Sequence, residues 1–178
     1  HNAENLMAAL GVGLARGLDF AQMRAPLCAC KPLPHRCELI RTLDGVDYVN
    51  DSKATNLDSL EKALAGETRK VVLIAGGKDK GFEFGSVTDL VAEKCRCAVV
   101  LGEMAARIER LWAPRVPCIN VGHSLEKAVD AARSQARSGD IVLFSPGTSS
   151  FDMFRNYADR GNQFRQLVQT LTPNQSKP

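Results

Sequence analysis

The chain has 178 residues, of which 44% are hydrophobic, 24% charged and 6% aromatic, and its net charge is +3. These values are typical of one globular domain, or of one domain joined to part of another, and exclude disorder as the main state. No apolar run approaches the roughly 18 residues that a membrane span requires, so we expect no membrane insertion. Basic residues form no block and aromatic residues are few, which argues against a nucleic-acid partner.

The cysteines and the first residue bear on the compartment of the protein and on its extent. Neither close pair of cysteines has the two-residue gap of a zinc knuckle or a redox motif. No signal peptide is present, so we predict reduced, structural thiols in a cytoplasmic protein. The chain begins with His1 rather than Met, which predicts a piece of a longer protein. The six cysteines are Cys28, Cys30, Cys37, Cys95, Cys97 and Cys118.

A proline-rich linker separates the first 30 residues from the rest. The spacing of leucines predicts a helix over 2–14 that Gly17 stops, and a second helix over 20–25 that Pro26 ends. The stretch Lys31-Pro-Leu-Pro34 is predicted to be stiff, because each proline fixes its own φ and restricts the residue before it. The predicted divisions are residues 1–31, a domain at 32–173 and a disordered tail at 174–178.

After the linker the chain alternates between strands and helices. Asp44-Gly45 lies between two strand-like runs and indicates a two-residue hairpin turn. The later strands are short, apolar and uninterrupted, which is typical of parallel strands covered by helices on both faces. The sequence therefore predicts an α/β fold with a doubly wound, mostly parallel sheet and an antiparallel edge hairpin. The expected strands are 37–43, 46–50, 70–75, 98–101, 117–121 and 141–144, and the expected helices are 56–65, 86–94, 103–112, 124–138 and 151–171.

Three polar loops follow strands of this sheet. They are 51–56, 76–81 and 145–152, and we expect them to project from one edge, where ligands bind in open α/β sheets. Together they supply lysines, hydroxyls and exposed backbone N–H groups, a chemistry suited to a carboxylate or a phosphate. Each loop taken alone also has the composition of an ordinary strand-to-helix turn. None is a P-loop, because the second lacks the Gly-Lys-Ser/Thr ending.

The stretch Asn50-Asp-Ser-Lys-Ala-Thr-Asn56, together with several others along the chain, resembles the Mur ligases of peptidoglycan synthesis, in particular those that add D-glutamate. The resemblance runs in register over nearly the whole chain, and the stretch at 50–56 is its most specific part. One departure is Gly147-Thr148-Ser149, where many relatives carry Ala-Cys-Ala. The matching stretches are His1-Asn-Ala-Glu-Asn5, Leu33-Pro-His-Arg36, Asn50-Asp-Ser-Lys-Ala-Thr-Asn56, Gly76-Gly-Lys-Asp-Lys80, Ser145-Pro146, Phe151-Asp152, Asn156-Tyr157 and Arg160-Gly161.

The resemblance implies a cytoplasmic, three-domain, ATP-dependent ligase. This chain would be its last, Rossmann-like domain, preceded by the final helices of a central ATPase domain. The complete enzyme would use ATP and Mg²⁺ to convert UDP-N-acetylmuramoyl-L-alanine into an acyl-phosphate and join it to D-glutamate. Its N-terminal and central domains, with the P-loop and the metal ligands, would lie outside this chain, so the chain alone is expected to be inactive. The alternative is a non-catalytic α/β anion-binding or regulatory module of the same fold.

The resemblance also implies two sets of contact residues, carried over position by position. One set matches positions that hold ATP and the other matches positions around D-glutamate. Lys53 is a candidate catalytic cation at the reacting centre, where positive charge would stabilise the acyl-phosphate and the tetrahedral intermediate. Its alternative role is that of a solvated loop lysine. The ATP set is Asn5, Arg36 and Asp51, and the D-glutamate set is Lys80, Thr55, Ser150 and Tyr157.

Overall fold

The computed structural model of the chain describes residues 2–29 and 33–173. Contacts between residues divide the chain into two compact units, His1–Pro34 and His35–Pro178. Residues 31 and 32 of the predicted linker and the predicted disordered tail at 174–178 lie outside the described residues. In the part that is described, no helix is both long enough and apolar enough to cross a membrane.

The first unit contains two helices, α1 (Asn2–Ala15) and α2 (Phe20–Ala29). Gly17 follows α1 with a φ of +81°, the left-handed conformation in which many helices end, as predicted. The prediction that Pro26 ends α2 is wrong, because the helix continues to Ala29. A proline removes one backbone hydrogen bond, and the N–H groups that follow it still reach carbonyl groups of the preceding turn.

The second unit is built around a six-stranded sheet. The strands lie in the order β1-β2-β6-β3-β4-β5, so the last strand of the chain inserts between β2 and β3. β1 is antiparallel to β2, and all other neighbouring strands are parallel. The predicted architecture is confirmed. The strands are β1 (Glu38–Leu43), β2 (Val46–Asn50), β3 (Val71–Gly76), β4 (Cys95–Leu101), β5 (Cys118–Asn120) and β6 (Ile141–Phe144).

The edge hairpin turns at the predicted pair, Asp44 and Gly45. Their φ angles are +53° and +75°, and a type I′ turn requires positive φ angles at both of its central positions. This turn suits the right-handed twist of a strand pair, which explains why the pair was recognisable in the sequence. The register of β1 shifts between Leu39 and Arg41, so β1 carries a bulge that the sequence did not indicate.

Helices cover both faces of the sheet. A 3₁₀ turn at Phe84–Val87 leads into α4. The strands in the middle of the sheet bury both of their faces, which explains their uninterrupted apolar sequences. The helices on one face are α3 (Leu57–Ala65), α4 (Thr88–Lys94) and α5 (Ala105–Trp112), and those on the other are α6 (Leu125–Gln135) and α7 (Tyr157–Thr170).

Two helix starts differ from the prediction because asparagine side chains cap them. α7 begins at Tyr157 rather than at residue 151, since Asn156 accepts a hydrogen bond from the backbone N–H three residues later, at 2.8 Å. α3 is capped in the same way by Asn56, at 2.9 Å, and not by Thr55. Residues 151–156 therefore belong to the loop after β6, which lengthens the segment available to a ligand.

Candidate functional site

Three loops meet at the carboxyl edge of the sheet, as predicted. Because β6 lies between β2 and β3, the loop after β6 is adjacent to both of the others. The backbone N–H of Gly147 donates to the carbonyl of Ala54 at 3.0 Å, and that of Lys78 donates to the carbonyl of Ser149 at 3.0 Å. The loops are therefore joined through their main chains. We name them the Asp51 loop (51–56, after β2), the Lys80 loop (77–83, after β3) and the Ser150 loop (145–156, after β6).

Asp51 links the Asp51 loop to the Ser150 loop and to the start of the unit. Its Oδ2 accepts a hydrogen bond from the Ser145 hydroxyl at 2.8 Å, and its Oδ1 accepts one from the backbone N–H of Cys37 at 3.2 Å. Burial raises the pKa of Asp51 to about 6, although these hydrogen bonds and the charge of Arg36 act to lower it. The residue is 4% exposed, so a ribose hydroxyl would have to share or replace one of these donors.

A buried arginine joins the same two loops from α7. The guanidinium of Arg160 donates from Nε to Ser52 Oγ at 3.0 Å and from Nη2 to the Ser52 carbonyl at 2.8 Å. Both terminal nitrogens also donate to the carbonyl of Thr148, at 3.1 and 3.2 Å. Burial lowers the pKa of Arg160 to about 10, which leaves it charged at neutral pH. Arg160 lies in a stretch that resembles the Mur ligases, but the sequence predicts no role for it, because an arginine in a helix usually faces solvent.

The segment Gly147-Thr148-Ser149, which differs from the Ala-Cys-Ala of many Mur ligases, has a structural role. Gly147 has a φ of +72°, and a Cβ added there would lie 2.8 Å from a methyl group of Leu60. Glycine fits this position without strain. The hydroxyl of Thr148, which is buried, donates to the carbonyl of Lys78 at 2.6 Å and so ties the Ser150 loop to the Lys80 loop. A cysteine thiol in this place would be a weaker donor.

The three lysines of the site have different surroundings. Lys53 places its ammonium 5.2 Å from the centre of the Tyr157 ring, which brings together two of the predicted site residues. Lys80 is exposed, with its ammonium 5.0 Å from the centre of a phenylalanine ring. Lys78 forms an ion pair with Glu103 at 3.2 Å. Among the described residues, no carboxylate forms an ion pair with Lys53 or Lys80, so their charges are available to an anion.

The predicted hydroxyl contacts differ in accessibility. Thr55 is partly buried and Tyr157 is 37% exposed, so both can be reached from solvent. Ser150 is 2% exposed, and its carbonyl accepts a hydrogen bond from the backbone N–H of Phe154 at 2.8 Å. The neighbouring Phe151 is 69% exposed. Ser150 is therefore the predicted D-glutamate residue that a ligand reaches least easily.

A close approach between His35 and α7 fixes the segment that carries Arg36. The side-chain amide of Asn50 lies 3.1 Å from His35 Nδ1 and donates to the carbonyl of Gly161 at 2.9 Å. A Cβ on Gly161 would lie 2.3 Å from His35 Nδ1, so only glycine fits here. Burial and the charge of Arg165 lower the pKa of His35, which keeps the ring neutral. His35 also accepts at its carbonyl a hydrogen bond from the backbone N–H of Lys53, at 2.9 Å.

One predicted ATP contact belongs to the other unit. Asn5 lies in α1, in the first unit, and is exposed. Its assignment to ATP remains a prediction. Within residues 2–29 and 33–173, no group of three or more His, Cys, Asp and Glu side chains could hold a metal ion. The cysteines that the structure describes, Cys28, Cys37, Cys95, Cys97 and Cys118, are free thiols.

The second unit matches a known protein family. The model for the family described as "Mur ligase, glutamate ligase domain" matches residues 35–148, which is more than half of the chain. The chain belongs to the Mur ligases. The matched region of this Mur ligase chain begins at His35, where the second unit begins, and contains the Asp51 and Lys80 loops.

Relatives of this Mur ligase chain match nearly its whole length. The UDP-N-acetylmuramoylalanine–D-glutamate ligase of Marinobacter nauticus is 48% identical over 174 residues, which are 96% of this chain and 39% of the relative. The corresponding ligase of Pseudomonas fluorescens Pf-5 is 46% identical over 175 residues, again 96% and 39%. The chain therefore spans about two fifths of the length of the relatives it matches.

A solved structure shows that the fold is shared beyond these relatives. A pseudomurein peptide ligase type C from Methanothermus fervidus superimposes with a TM-score of 0.71 at 16% sequence identity. The superposition covers 96% of this chain and 36% of that protein. At this identity, the likeness supports the fold of the Mur ligase chain and not its substrate.

Proposed function

We propose that this chain is the D-glutamate- and ATP-contacting domain of an ATP-dependent ligase that joins D-glutamate to UDP-N-acetylmuramoyl-L-alanine. The observation that carries the proposal is the pair of ammonium groups, on Lys53 and Lys80, that form no ion pair within the described residues. They stand on loops at the same edge of the sheet, and each loop is tied to the Ser150 loop between them, one through Arg160 and the other through the hydroxyl of Thr148. The printed names of the relatives support D-glutamate as the amino acid.

D-Glutamate carries two carboxylates, which need a positive charge and hydrogen-bond donors apart from the charge of Lys53. β2 and β3 are two strand spacings apart, roughly 10 Å, because β6 lies between them. Lys80 pairs with one carboxylate as a point charge, and the hydroxyl of Thr55 donates to a remaining lone pair. Ser150 and the backbone N–H groups at the start of α7, beside Tyr157, complete the set.

The ATP contacts lie on the side of β1 and β2. Arg36 approaches the phosphates, and Asp51 accepts a hydrogen bond from a ribose hydroxyl. With a pKa of about 6, Asp51 is mostly ionised at neutral pH and can act as this acceptor. Asn5, in α1, is a further proposed ATP contact of the complete protein. Each of these residues touches one side of the nucleotide only, so the chain alone binds ATP weakly.

The reaction forms an amide through an acyl-phosphate. The carboxylate of UDP-N-acetylmuramoyl-L-alanine takes the γ-phosphoryl group of ATP, the amine of D-glutamate attacks the activated carbonyl, and phosphate leaves. Lys53 acts beside this centre, where its charge stabilises the oxyanion that develops during attack. Mg²⁺ would supply further charge neutralisation on the phosphates, and we assign it to no described residue of this chain.

We assign residues 1–31 to the neighbouring ATPase domain of the complete protein and residues 32–173 to the C-terminal domain. Support comes from large hydrophobic side chains that the first unit leaves exposed, since such a patch is typical of a surface that another domain covers. We place the complete enzyme in the cytoplasm, where ATP and the UDP-sugar are available. The exposed side chains are Leu6, Met7, Val12, Leu14, Leu18 and Phe20.

A chimera tests the proposal. This chain replaces the aligned segment of the Marinobacter nauticus ligase, and phosphate release from ATP is measured with UDP-N-acetylmuramoyl-L-alanine and D-glutamate. We expect release that depends on D-glutamate and is absent with L-glutamate. A folded chimera that releases no phosphate with D-glutamate would contradict the proposal and favour a non-catalytic module of the same fold.

A further inference from the structure

A groove lies between α6 and α7, on the sheet face opposite α3, α4 and α5. Its volume is about 630 Å³, within the range of small-molecule sites. It begins where the Ser150 loop enters α7 and is separate from the lysines of the candidate site. Its walls are formed by His123, Ser124, Leu125, Glu126, Asp152, Met153, Phe154, Gln163, Gln166, Leu167 and Thr170.

The walls combine an apolar surface with uncharged polar groups. Met153, Phe154 and Leu167 are partly buried and supply apolar area in contact with the core beneath α6 and α7. Gln163 and Gln166 are exposed and can each donate and accept hydrogen bonds. A ligand that fits this lining has an apolar body and a polar end.

The charged groups of the groove are acidic. Glu126 and Asp152 line it, and neither lysine nor arginine is among the lining residues, although the whole chain carries a charge of +3. Asp152 Oδ2 accepts a hydrogen bond from the backbone N–H of Glu103 at 2.9 Å. Asp152 Oδ1 is buried and has no hydrogen-bond partner among the described residues. A buried carboxylate oxygen in this state is costly, and a positive charge held in the groove would offset part of that cost through space.

The position of Asp152 is fixed. A Cβ on Gly102 would lie 2.4 Å from Asp152 Oδ2, so the carboxylate packs directly on the backbone at the end of β4. Arg160 acts on Asp152 electrostatically, but no hydrogen bond joins the two side chains. The carboxylate is therefore held at the end of β4, and its negative charge acts on the groove through space.

We propose that this groove binds a small molecule that carries a protonated amine on an apolar chain. The ammonium would be attracted by Glu126 and Asp152, and the chain would cover the apolar wall at Phe154 and Leu167. An anion of the same shape would be repelled by both carboxylates. A neutral alcohol of the same length would gain the apolar contact only.

Titration of the 178-residue chain with hexylammonium, followed by two-dimensional NMR, tests the proposal. Hexanol and hexanoate serve as the neutral and anionic probes of equal length. We expect saturating shifts confined to residues 123–126, 152–154 and 163–170, with a Kd on the order of 1 mM. Hexanol should bind several-fold more weakly, and hexanoate should cause no saturating shifts.

Charge variants at the exposed wall sharpen the test. Gln166→Glu should tighten hexylammonium binding about 2- to 5-fold, and Gln166→Lys and Glu126→Gln should weaken it by a similar factor. Glu61→Gln, on α3 at the other face of the sheet, should leave the Kd unchanged and serves as the control. Unchanged spectra outside the groove verify that each variant is folded.

Three results would overturn the proposal. One is binding of hexanoate as tight as that of hexylammonium. Another is the lack of a saturable shift at the groove residues below about 50 mM hexylammonium, which is far above the expected Kd. The third is an equal Kd for Gln166→Glu and Gln166→Lys, because the sign of the charge would then have no influence.

Discussion

The guanidinium of Arg160 donates two hydrogen bonds to Ser52, one to the hydroxyl at 3.0 Å and one to the backbone carbonyl at 2.8 Å. Ser52 lies between Asp51 and Lys53, and Arg160 lies one turn into α7. The same guanidinium reaches Thr148 in the Ser150 loop. A single buried cation therefore sets the distance between the loop that carries Asp51 and Lys53 and the loop that carries Ser150.

Replacing Arg160 by lysine should destabilise the second unit by about 3 kcal/mol, because an ammonium cannot make the forked contacts and leaves buried carbonyls unpaired. Urea denaturation of the 178-residue chain measures the change. Arg155→Lys is the matched control, since Arg155 is 87% exposed and should contribute less than about 1 kcal/mol. Equal stability of the two variants would show that Arg160 does not hold the loops.

Thr148→Val tests the tie between the Ser150 and Lys80 loops. The substitution keeps the shape of the side chain and removes the buried donor to the Lys78 carbonyl. We expect a loss of about 1 to 2 kcal/mol in the free energy of unfolding. Thr170→Val, at an exposed position at the end of α7, is the control and should change it by less than about 0.5 kcal/mol. A larger loss at Thr170 than at Thr148 would contradict the account.

The pKa of Asp51 predicts how stability depends on pH. Burial raises this pKa from 3.8 to about 6 in the folded chain, so the protonated form is favoured by folding. The stability that the neutral carboxyl contributes is present below pH 3.8 and is lost as the pH rises towards about 6. Asp51→Asn cannot ionise, and its amide can still accept from Cys37 and donate to Ser145.

The difference in unfolding free energy between Asp51→Asn and the unchanged chain should therefore grow in favour of the variant between pH 4 and 6. It should level off above that range at about 3 kcal/mol. Denaturation at pH 4, 5, 6 and 7 measures it, and the other titrating groups cancel because both proteins carry them. A difference that is constant with pH, or that shrinks as the pH rises, would show that burial does not raise the pKa of Asp51 in the folded chain.

The fold could be predicted from the sequence because local signals and burial agree. The apolar runs of β3, β4 and β6 are buried on both faces, and Asp44-Gly45 forms the turn that its residue types favour. The placement of β6 between β2 and β3 is a choice of long-range pairing that no local pattern encodes. That placement makes the Ser150 loop the central one.

The candidate site could be predicted in part. The residue types of the three loops indicated an anion site, and the structure brings Lys53 next to Tyr157. The burial of Ser150 and Asp51 could not be foreseen, since polar residues after a strand usually face solvent. The contacts by which Arg160 joins two loops could not be predicted, because its partners are backbone carbonyls 12 and 108 positions away in the chain.

The first unit should be less stable than the second. Of the side chains that are described in it, Met23 is the only buried hydrophobic one, so little apolar area stabilises its two helices. Hydrogen exchange of the 178-residue chain should show fast exchange over 2–29 and strong protection in β3, β4 and β6. Strong protection across both units, together with ATP turnover by this chain alone, would show that residues 1–31 need no further domain.

The assignment of D-glutamate to Lys80 is tested most directly by comparing Lys80→Ala with Lys78→Ala in the active chimera. Loss of one charge-assisted contact should raise the KM for D-glutamate roughly 10- to 100-fold in Lys80→Ala. Lys78 is paired with Glu103, so its removal should leave this KM within about 2-fold. The KM for ATP should stay nearly constant in both. An unchanged KM for D-glutamate in Lys80→Ala, or an equal rise in Lys78→Ala, would contradict the proposed site.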